Sequence, residues 1–294
     1  MRTRWLLVDG FNLAFRSFYG MPELTRSDGF PTGAIHGWVR TFWYLSDRLK
    51  PDEIAVFFDL DGDARREALR PEYKEQRSET PEALAAQIPH LKELSEAMGF
   101  GRFEVSGVEA DDLIGASAVR LAREANEVLI VSADKDLAQC VGKNIEQLLP
   151  PPTVNPRLGW RRLNADGVRE KFGVRPEQIA DYLALVGDSA DNIIGIAGVG
   201  PKTAARWLNA YGNLERVIEN CGMLKPVRFQ SIVHEAADHL RENRVLTTLD
   251  WECDPGPLKP APLDSARVLE ILGEMEMERA CRDARQRYSQ PPSA

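Results

Sequence analysis

The sequence has few cysteines and no long apolar run, and both features exclude classes of protein. Its 294 residues include four cysteines, which lie far apart and form no C-x-x-C pair. That spacing argues against a zinc site or a disulfide framework and suits a reducing cytosol. The apolar start of the chain is interrupted at Asp9 and is too short for a signal peptide or a membrane span. We therefore expect a cytoplasmic protein without a membrane partner.

Basic side chains are also fewer than acidic ones. The chain has 45 acidic and 37 basic side chains, which gives a formal net charge of −8. Such a balance argues at first sight against a nucleic-acid partner. However, nine of the acids fall in motifs near strand ends and helix starts, and setting them aside raises the charge from −8 to +1. The overall charge therefore argues only weakly against nucleic acid.

What the chain does have, in its first half, is an alternation of apolar runs and amphipathic stretches. The runs predict buried parallel strands, and the stretches predict the helices that cover them. This alternation predicts an α/β domain over residues 1–172, with a parallel sheet flanked by helices. The strand runs are 5–8, 54–58 and 128–131, and the helical stretches are 34–49, 82–99 and 111–125.

Helical patterns dominate after the proline-rich segment 150–156. We therefore place a second, all-helical domain at 173–294. It should end in a helix and a disordered tail with the sequence RQRYSQPPSA. The helical stretches of this domain are 176–187, 201–212, 213–220, 231–249 and 265–284.

Aspartates follow all three predicted strands, and further acids occur at two other places. The carboxyl ends of parallel strands meet at one edge of a sheet, where ligands bind. Any single acid here could be a helix cap, but nine at one edge would repel one another unless cations lay between them. Oxygen ligands without histidine or cysteine suit two Mg²⁺ or Mn²⁺ ions and a phosphoryl-transfer site. The nine acids are Asp9, Asp59, Glu109, Asp111, Asp112, Asp134, Asp136, Asp188 and Asp191.

A glycine-rich loop opens the helix predicted at 201–212. Two glycines allow close approach of the backbone, a proline suits the first helical position, and basic side chains follow. This pattern is typical of a helix-hairpin-helix element that holds a DNA phosphate through backbone N–H groups. A plain connector between helices is the alternative. The residues are Gly198, Gly200, Pro201, Lys202, Thr203 and Arg206.

The stretch 58-FDLDGD-63 allows other interpretations. A calcium loop fails, because Ala64 stands where the turn glycine should be and Arg70 where the bidentate Glu should be. A phosphatase nucleophile would follow the first strand, and here that strand ends at Asp9. We keep Asp59 as a ligand and expect Asp61 and Asp63 to lie near the base of the basic segment that follows.

Taken in order, these motifs resemble the 5′–3′ exonuclease and flap endonuclease family, close to the N-terminal 5′-nuclease domain of bacterial DNA polymerase I. The resemblance runs from Trp5 to the final helix. It implies a PIN-like fold with a helical arch at about 65–100. The motifs are 7-LVDGFNLAFRSFYG-20, 31-PTGAIHGW-38, 55-AVFFD-59, 71-PEYKEQR-77, 108-VEADDLIG-115, 131-VSADKDLAQ-139 and 187-GDSADNIIGIAGVGPKTA-204.

The resemblance also implies roles for single residues. Asp9, Asp59, Glu109, Asp111 and Asp112 would form one metal site, and Asp134, Asp136, Asp188 and Asp191 the other. Lys74 and Arg66 would hold the scissile phosphate, and K⁺ could bind the 198–203 loop. The sequence departs from the family at Arg65, which replaces an aromatic residue, and at the extra acids Asp61 and Asp63. The expected DNA contacts are Arg16, Tyr73, Arg77, Gly198, Gly200, Lys202, Thr203 and Arg206.

The function that this resemblance implies is a structure-specific 5′ nuclease. It would cut DNA at 5′ flaps, nicks and 5′ ends by two-metal catalysis. It would act as a monomer and could work beside a separate polymerase chain. The alternative is a branched-DNA binding protein with weak or no catalysis. The retained acids of the second site, Asp134, Asp136, Asp188 and Asp191, favour the enzyme.

Overall fold

The computed structural model describes residues 2–152 and 155–289. At its centre is a six-stranded sheet with the order β3-β2-β1-β4-β5-β6. The pairs from β3 to β5 are parallel, and β6 joins the edge in the antiparallel direction. The strands are β1 (Arg4–Asp9), β2 (Glu53–Phe57), β3 (Gly101–Phe103), β4 (Glu127–Val131), β5 (Ile145–Leu149) and β6 (Arg161–Leu163), with β7 (Gly187–Asp188) and β8 (Ile193–Ile194) in a separate antiparallel ladder.

Helices cover both faces of the sheet and make up most of the second half of the chain. They are α1 (Gly10–Gly20), α2 (Gly33–Leu49), α3 (Ala64–Leu69), α4 (Glu82–Ala85), α5 (Ile88–Ala97), α6 (Ala110–Arg123), α7 (Ala165–Phe172), α8 (Ile179–Val186), α9 (Pro201–Tyr211), α10 (Leu214–Glu219), α11 (Phe229–Glu235), α12 (Ala237–Thr247), α13 (Ser265–Glu274) and α14 (Glu278–Tyr288). No helix in the described ranges is both long and apolar enough to cross a membrane.

The three predicted strands form the centre of the sheet as β1, β2 and β4. Successive residues of β1 pack on opposite faces, so that Leu6 and Val8 join one core and Leu7 joins the other. A strand that is covered on both sides is apolar throughout, which explains why these strands were recognisable. The strand β5 was not predicted from the sequence. Its buried Gln147 donates to the backbone carbonyl of Ser132 at 3.0 Å.

The helical region has its own apolar core, formed mainly by α8 to α12. The predicted helical composition of this region is confirmed, and the short β7–β8 ladder is a local addition to it. Gly187 is required in this ladder, because its φ is +86° and an added Cβ would lie 2.6 Å from the backbone nitrogen of Gly195. The ladder places Asp188 and Asp191 beside the sheet edge.

The last two helices return to the α/β core. Val268, Ile271 and Leu272 of α13, with Met275, are buried against the same cluster as Trp38 of α2. The prediction that this end of the chain belongs to the helical domain is therefore wrong for α13 and α14. The disordered tail is also wrong over residues 285–288, which are helical, and the rest of it after Ser289 lies outside the described residues.

The packing of α13 generates a stability prediction. Leu272→Ala removes a fully buried side chain and should lower the free energy of unfolding by about 2–5 kcal/mol. Leu263→Ala, nine residues earlier on an exposed side chain, is the matched control and should leave it near wild type. Urea denaturation followed by circular dichroism measures both. Equal midpoints for the two variants would contradict the packing of α13 on the core.

Candidate metal centre

A cleft of ≈ 290 Å³ opens at the carboxyl edge of the parallel strands. The chain reaches this edge at the end of β1, just after β2 and just after β4, which brings three aspartates together. The start of α6 adds two more acids from the side. The charged side chains that line the cleft are Asp9, Asp59, Glu109, Asp111, Asp134, Lys74 and Arg77.

Asp9 lies at the centre of the edge, between β2 and β4. Its side chain caps α1 by accepting from the backbone N–H of Asn12 at 3.0 Å, and it accepts from the Ser132 hydroxyl at 2.8 Å. Burial raises the pKa of Asp9 to about 7, and the charges of Asp134 and Asp59 also raise it. The residue is therefore both a structural cap and a carboxylate that is costly to keep ionised without a cation.

The acids of α6 divide between two environments. Asp111 lines the cleft, and burial raises its pKa well above the usual range, with the charges of Glu109 and Asp112 adding to the effect. Asp112 is buried and faces the other way, where it accepts from the backbone N–H of Asp250 at 2.7 Å. Asp59 binds the start of α6 by accepting from the N–H of Ala110 at 2.7 Å.

A second acidic group lies next to the cleft. Carboxylate oxygens of Asp136, Asp188 and Asp191 lie within 4.8 Å of one another, and all three residues are buried. Burial raises the pKa of Asp136 well above its usual range, and the charges of Asp134, Asp191 and Asp188 raise it further. Lys135 neutralises part of this charge through a 2.7 Å ion pair with Asp188.

The donor set fits divalent metal ions. The Oδ1 atom of Asp136 is buried and has no hydrogen-bond partner among the described residues. A buried carboxylate oxygen without a donor is costly, and a cation would satisfy it. Carboxylate oxygens are the ligands that Mg²⁺ and Mn²⁺ prefer. Asp9, Asp59, Glu109, Asp111 and Asp134 could hold such an ion in the cleft, and Asp136, Asp188 and Asp191 could hold one beside it.

Three side chains of the segment after α3 lie over these acids. Lys74 forms an ion pair with Glu109, and Arg77 forms one with Asp191 at 2.7 Å. Tyr73 is buried between them and donates its hydroxyl to Glu109 at 3.1 Å and to Asp191 at 3.5 Å. The segment thus bridges both acidic groups, with Lys74 and Arg77 facing the cleft.

Arg66 does not face the cleft. Its side chain is 2% exposed, and its guanidinium binds the carboxylates of Asp63, Glu109 and Asp112. The same group donates to the backbone carbonyl of Leu246 at 2.9 Å. Burial lowers the pKa of Arg66, but the hydrogen bond to Asp112 and the neighbouring negative charges together outweigh it, and the net direction is upward. The structure therefore does not support a phosphate contact for Arg66, and Arg77 occupies the position beside Lys74.

The two extra acids after Asp59 differ from each other. Asp61 is exposed and accepts from the Ser106 hydroxyl at 2.6 Å. Asp63 is buried, caps α3 through the backbone N–H of Arg66 at 2.8 Å, and also pairs with the guanidinium of Arg66. This role of Asp63 was not predicted from the sequence. The spacing of Asp63 and Arg66, three residues apart at a helix start, was the available signal.

The glycine loop precedes α9, as expected from the sequence. Gly198 has a φ of +79°, Gly200 is the N-cap of α9, and nothing lies within 4 Å of the position of a Cβ on Gly200. Lys202 is exposed, while Thr203 is half-buried. Arg206 donates to the backbone carbonyl of Lys225 at 2.7 Å. The loop therefore offers an open helix N-terminus with a lysine in the first turn.

The parallel sheet and its carboxylate-walled cleft, with a lysine and an arginine above it, define a metal-dependent nuclease. Comparison with known sequences makes the class specific: the chain belongs to the 5′–3′ exonuclease family. Residues 4–173 match the model of its N-terminal resolvase-like domain, and residues 174–265 match that of its C-terminal SAM fold.

Two relatives show the extent of the sequence similarity. A 5′–3′ exonuclease of Aquifex aeolicus is 36% identical over 95% of this chain and 93% of its own length. The thermostable DNA polymerase I of Thermus aquaticus is 39% identical over 79% of this chain, but the match covers 27% of that protein. The chain thus spans under a third of that polymerase.

Solved structures share the fold. A 5′-exonuclease of bacteriophage T5 with bound zinc has a TM-score of 0.69 at 23% identity, covering 96% of this chain and 98% of the other. The catalytic core of Rad2 in complex with DNA has a TM-score of 0.61 at 13% identity, covering 98% of this chain and 92% of the other. The TM-scores and the coverage of both chains show a common fold across both halves of the chain.

The buried Arg66 network generates the second prediction. Asp63→Asn removes one charged partner of Arg66 and should lower the free energy of unfolding by about 1.5–3 kcal/mol. Asp61→Asn, a matched change two residues earlier on an exposed acid, should leave the urea midpoint near wild type. If Asp61→Asn proved as destabilising as Asp63→Asn, the burial assigned to Asp63 would be wrong.

Proposed function

We propose that this chain hydrolyses DNA phosphodiesters at 5′ flaps, nicks and 5′ ends, with two divalent ions, Mg²⁺ or Mn²⁺, in its acidic site. The observation that carries the proposal is the acidic cleft at the sheet edge, with Lys74 and Arg77 above it. Such ions, when bound, supply positive charge to a phosphate and lower the pKa of water. The family and the phage T5 flap endonuclease structure with DNA and metal ions support the substrate class.

The protein's own groups would orient the scissile phosphate. Lys74 and Arg77 line the cleft together with the carboxylates. In the structure both cations bind acids, Glu109 and Asp191. A phosphate entering the cleft would offer Lys74 and Arg77 new partners in place of these acids, whose carboxylates could then hold the metal ions. We assign the phosphate contacts to these two residues, and to Arg66 the support of Glu109 and Asp112.

The second contact with DNA would come from the 198–203 loop. An exposed helix N-terminus with free backbone N–H groups favours a phosphate, and Lys202 adds a charge. The contact would hold the duplex without reading bases, so that specificity would come from the shape of the junction. K⁺ at this loop, bridging backbone and phosphate, belongs to the same proposal.

The wider setting is also proposed. Four free cysteines suit a reducing compartment, which supports action in the cytoplasm. The polymerase relatives support work on the 5′ ends that replication and repair expose, beside a separate polymerase chain. The domain division near residue 173 would separate the cleft from the 198–203 loop that contacts the duplex. We also expect a monomer.

The catalytic test is the substitution Asp134→Asn. Removing one carboxylate from the cleft should lower Mg²⁺-dependent cleavage of a 5′-flap oligonucleotide by at least about 100-fold, because charge stabilisation by metal ions contributes several kcal/mol. Asp61→Asn is the control and should cut at the wild-type rate.

If Asp134→Asn cleaved the flap at the wild-type rate, the metal assignment would be wrong. Flap binding that persists in EDTA, with no cutting by the wild type in Mg²⁺ or Mn²⁺, would favour a branched-DNA binding protein instead.

The proposed DNA contact of the 198–203 loop has a separate test. Lys202→Ala should weaken flap binding and lower the slope of log Kd against log salt by about 1, because one phosphate contact is lost. Lys143→Ala changes the same charge on an exposed side chain before β5, at the opposite end of the sheet, and should leave the slope unchanged. Fluorescence anisotropy at several salt concentrations measures both. An unchanged slope for Lys202→Ala would remove this loop from the DNA interface.

A further inference from the structure

A second cavity of ≈ 300 Å³ lies between α1 and α2, outside the acidic cleft. No carboxylate is among the described residues that line it, although the whole chain has more acids than bases. Its wall instead combines arginines with aromatic side chains, so its chemistry is opposite to that of the metal centre. The lining residues include Arg16, Met21, Arg40, Tyr44 and Trp160.

The aromatic part of this wall is a pair of rings. Tyr44 on α2 and Trp160, just before β6, are nearly parallel, with an angle of 19° between planes and 6.4 Å between centroids. Tyr44 is 48% exposed, whereas Trp160 is half-buried and also packs against the apolar core of the α/β domain. Exposed aromatic faces of this kind are the surfaces on which proteins stack nucleobases.

The charged part of the wall is Arg40, with Arg16 beside it. Arg40 is exposed and, within the described ranges, forms no ion pair with a carboxylate; its guanidinium lies 3.8 Å from the sulfur of Met21. Burial lowers the pKa of Arg16. A guanidinium binds phosphate oxygens through paired N–H donors. The pocket therefore complements a group that carries both a flat ring and a phosphate.

The pocket and the acidic cleft are linked through shared lining residues. A third cavity of ≈ 270 Å³ shares Arg16 with the pocket and shares Asn12 and Phe15 with the cleft. Phe15 and Tyr19 form a further near-parallel ring pair along this path, at 20°. From Asn12 to Gly20 the helix rises about 12 Å. That length corresponds to about three or four nucleotides of one strand.

We propose that the pocket formed by Arg16, Arg40, Tyr44 and Trp160 binds one nucleotide of the DNA substrate. The base stacks on the Tyr44–Trp160 wall, and its phosphate binds Arg40. The strand runs along α1 from the cleft, which places this nucleotide about three or four positions from the scissile phosphate. The inference rests on the proposed function, because the occupant is part of the DNA whose phosphodiester is cut in the cleft.

Binding by ring-deleted and ring-retaining variants tests the stacking. In EDTA, where cleavage does not interfere, Trp160→Ala and Tyr44→Ala should each raise the Kd for a flap substrate by about tenfold. Trp160→Phe and Tyr44→Phe keep a ring and should bind within about twofold of wild type. Arg40→Gln should also weaken binding, whereas Arg48→Gln, on an exposed arginine of the same helix, should not. Thermal unfolding of each variant controls for folding.

Position-specific fluorescence identifies the bound nucleotide. 2-Aminopurine placed in turn at positions on either side of the junction should be quenched by the wild type at one position, and Trp160→Ala should abolish that quenching. An abasic site at that position should remove the tenfold difference in Kd between the wild type and the alanine variants. The proposed nucleotide pocket would be wrong if the alanine variants bound as tightly as wild type, or if Trp160→Ala left the quenching unchanged. Flap cleavage by the wild type would still support the proposed nuclease function in that case. Failure of the wild type to cut any flap would instead refute the proposed function.

Discussion

Mutual repulsion among buried carboxylates is the constraint on which this structure depends. Parallel strands deliver Asp9, Asp59 and Asp134 to one edge, and burial raises the pKa of both Asp9 and Asp134. Like charges so close in a poorly solvated place need cations between them. The protein supplies some of these from Lys74, Arg77 and Lys135. These three side chains do not neutralise all of the acids at the edge, so the edge can bind metal ions. With metal ions bound, it can also bind a phosphate.

Arg66 meets the same constraint on the inner side of α6. It neutralises Asp63 and Asp112 and also binds the carbonyl oxygens of Leu246 and Thr248 at the end of α12. One side chain therefore connects the start of α3, the α/β core and the helical region. Burying a charge of this kind is costly unless every donor is satisfied, and here the partners come from all three parts. The position of Glu109 depends on this arrangement as much as on its own helix.

Features with a local signal could be predicted from the sequence. The strands containing Leu7, Val56 and Ile130 are continuous apolar runs, and the aspartates after them follow from parallel topology. Features that depend on contacts between residues far apart in the sequence could not be predicted in this way. Arg66 lies 180 residues from Leu246, and nothing near it in sequence shows that its donors would be occupied. The chain end looked disordered because it is polar, yet Tyr288 accepts a 3.0 Å hydrogen bond from the indole of Trp43.

The central claim is that the acidic edge is a site for divalent ions rather than a cluster balanced by the protein's own cations. The most direct measurement is the number of Mn²⁺ ions bound per chain, obtained by electron paramagnetic resonance of free Mn²⁺ in a titration without DNA. The account predicts two ions for the wild type and fewer for Asp134→Asn. Wild-type protein that bound no Mn²⁺, and cut flap DNA equally well in EDTA, would contradict it.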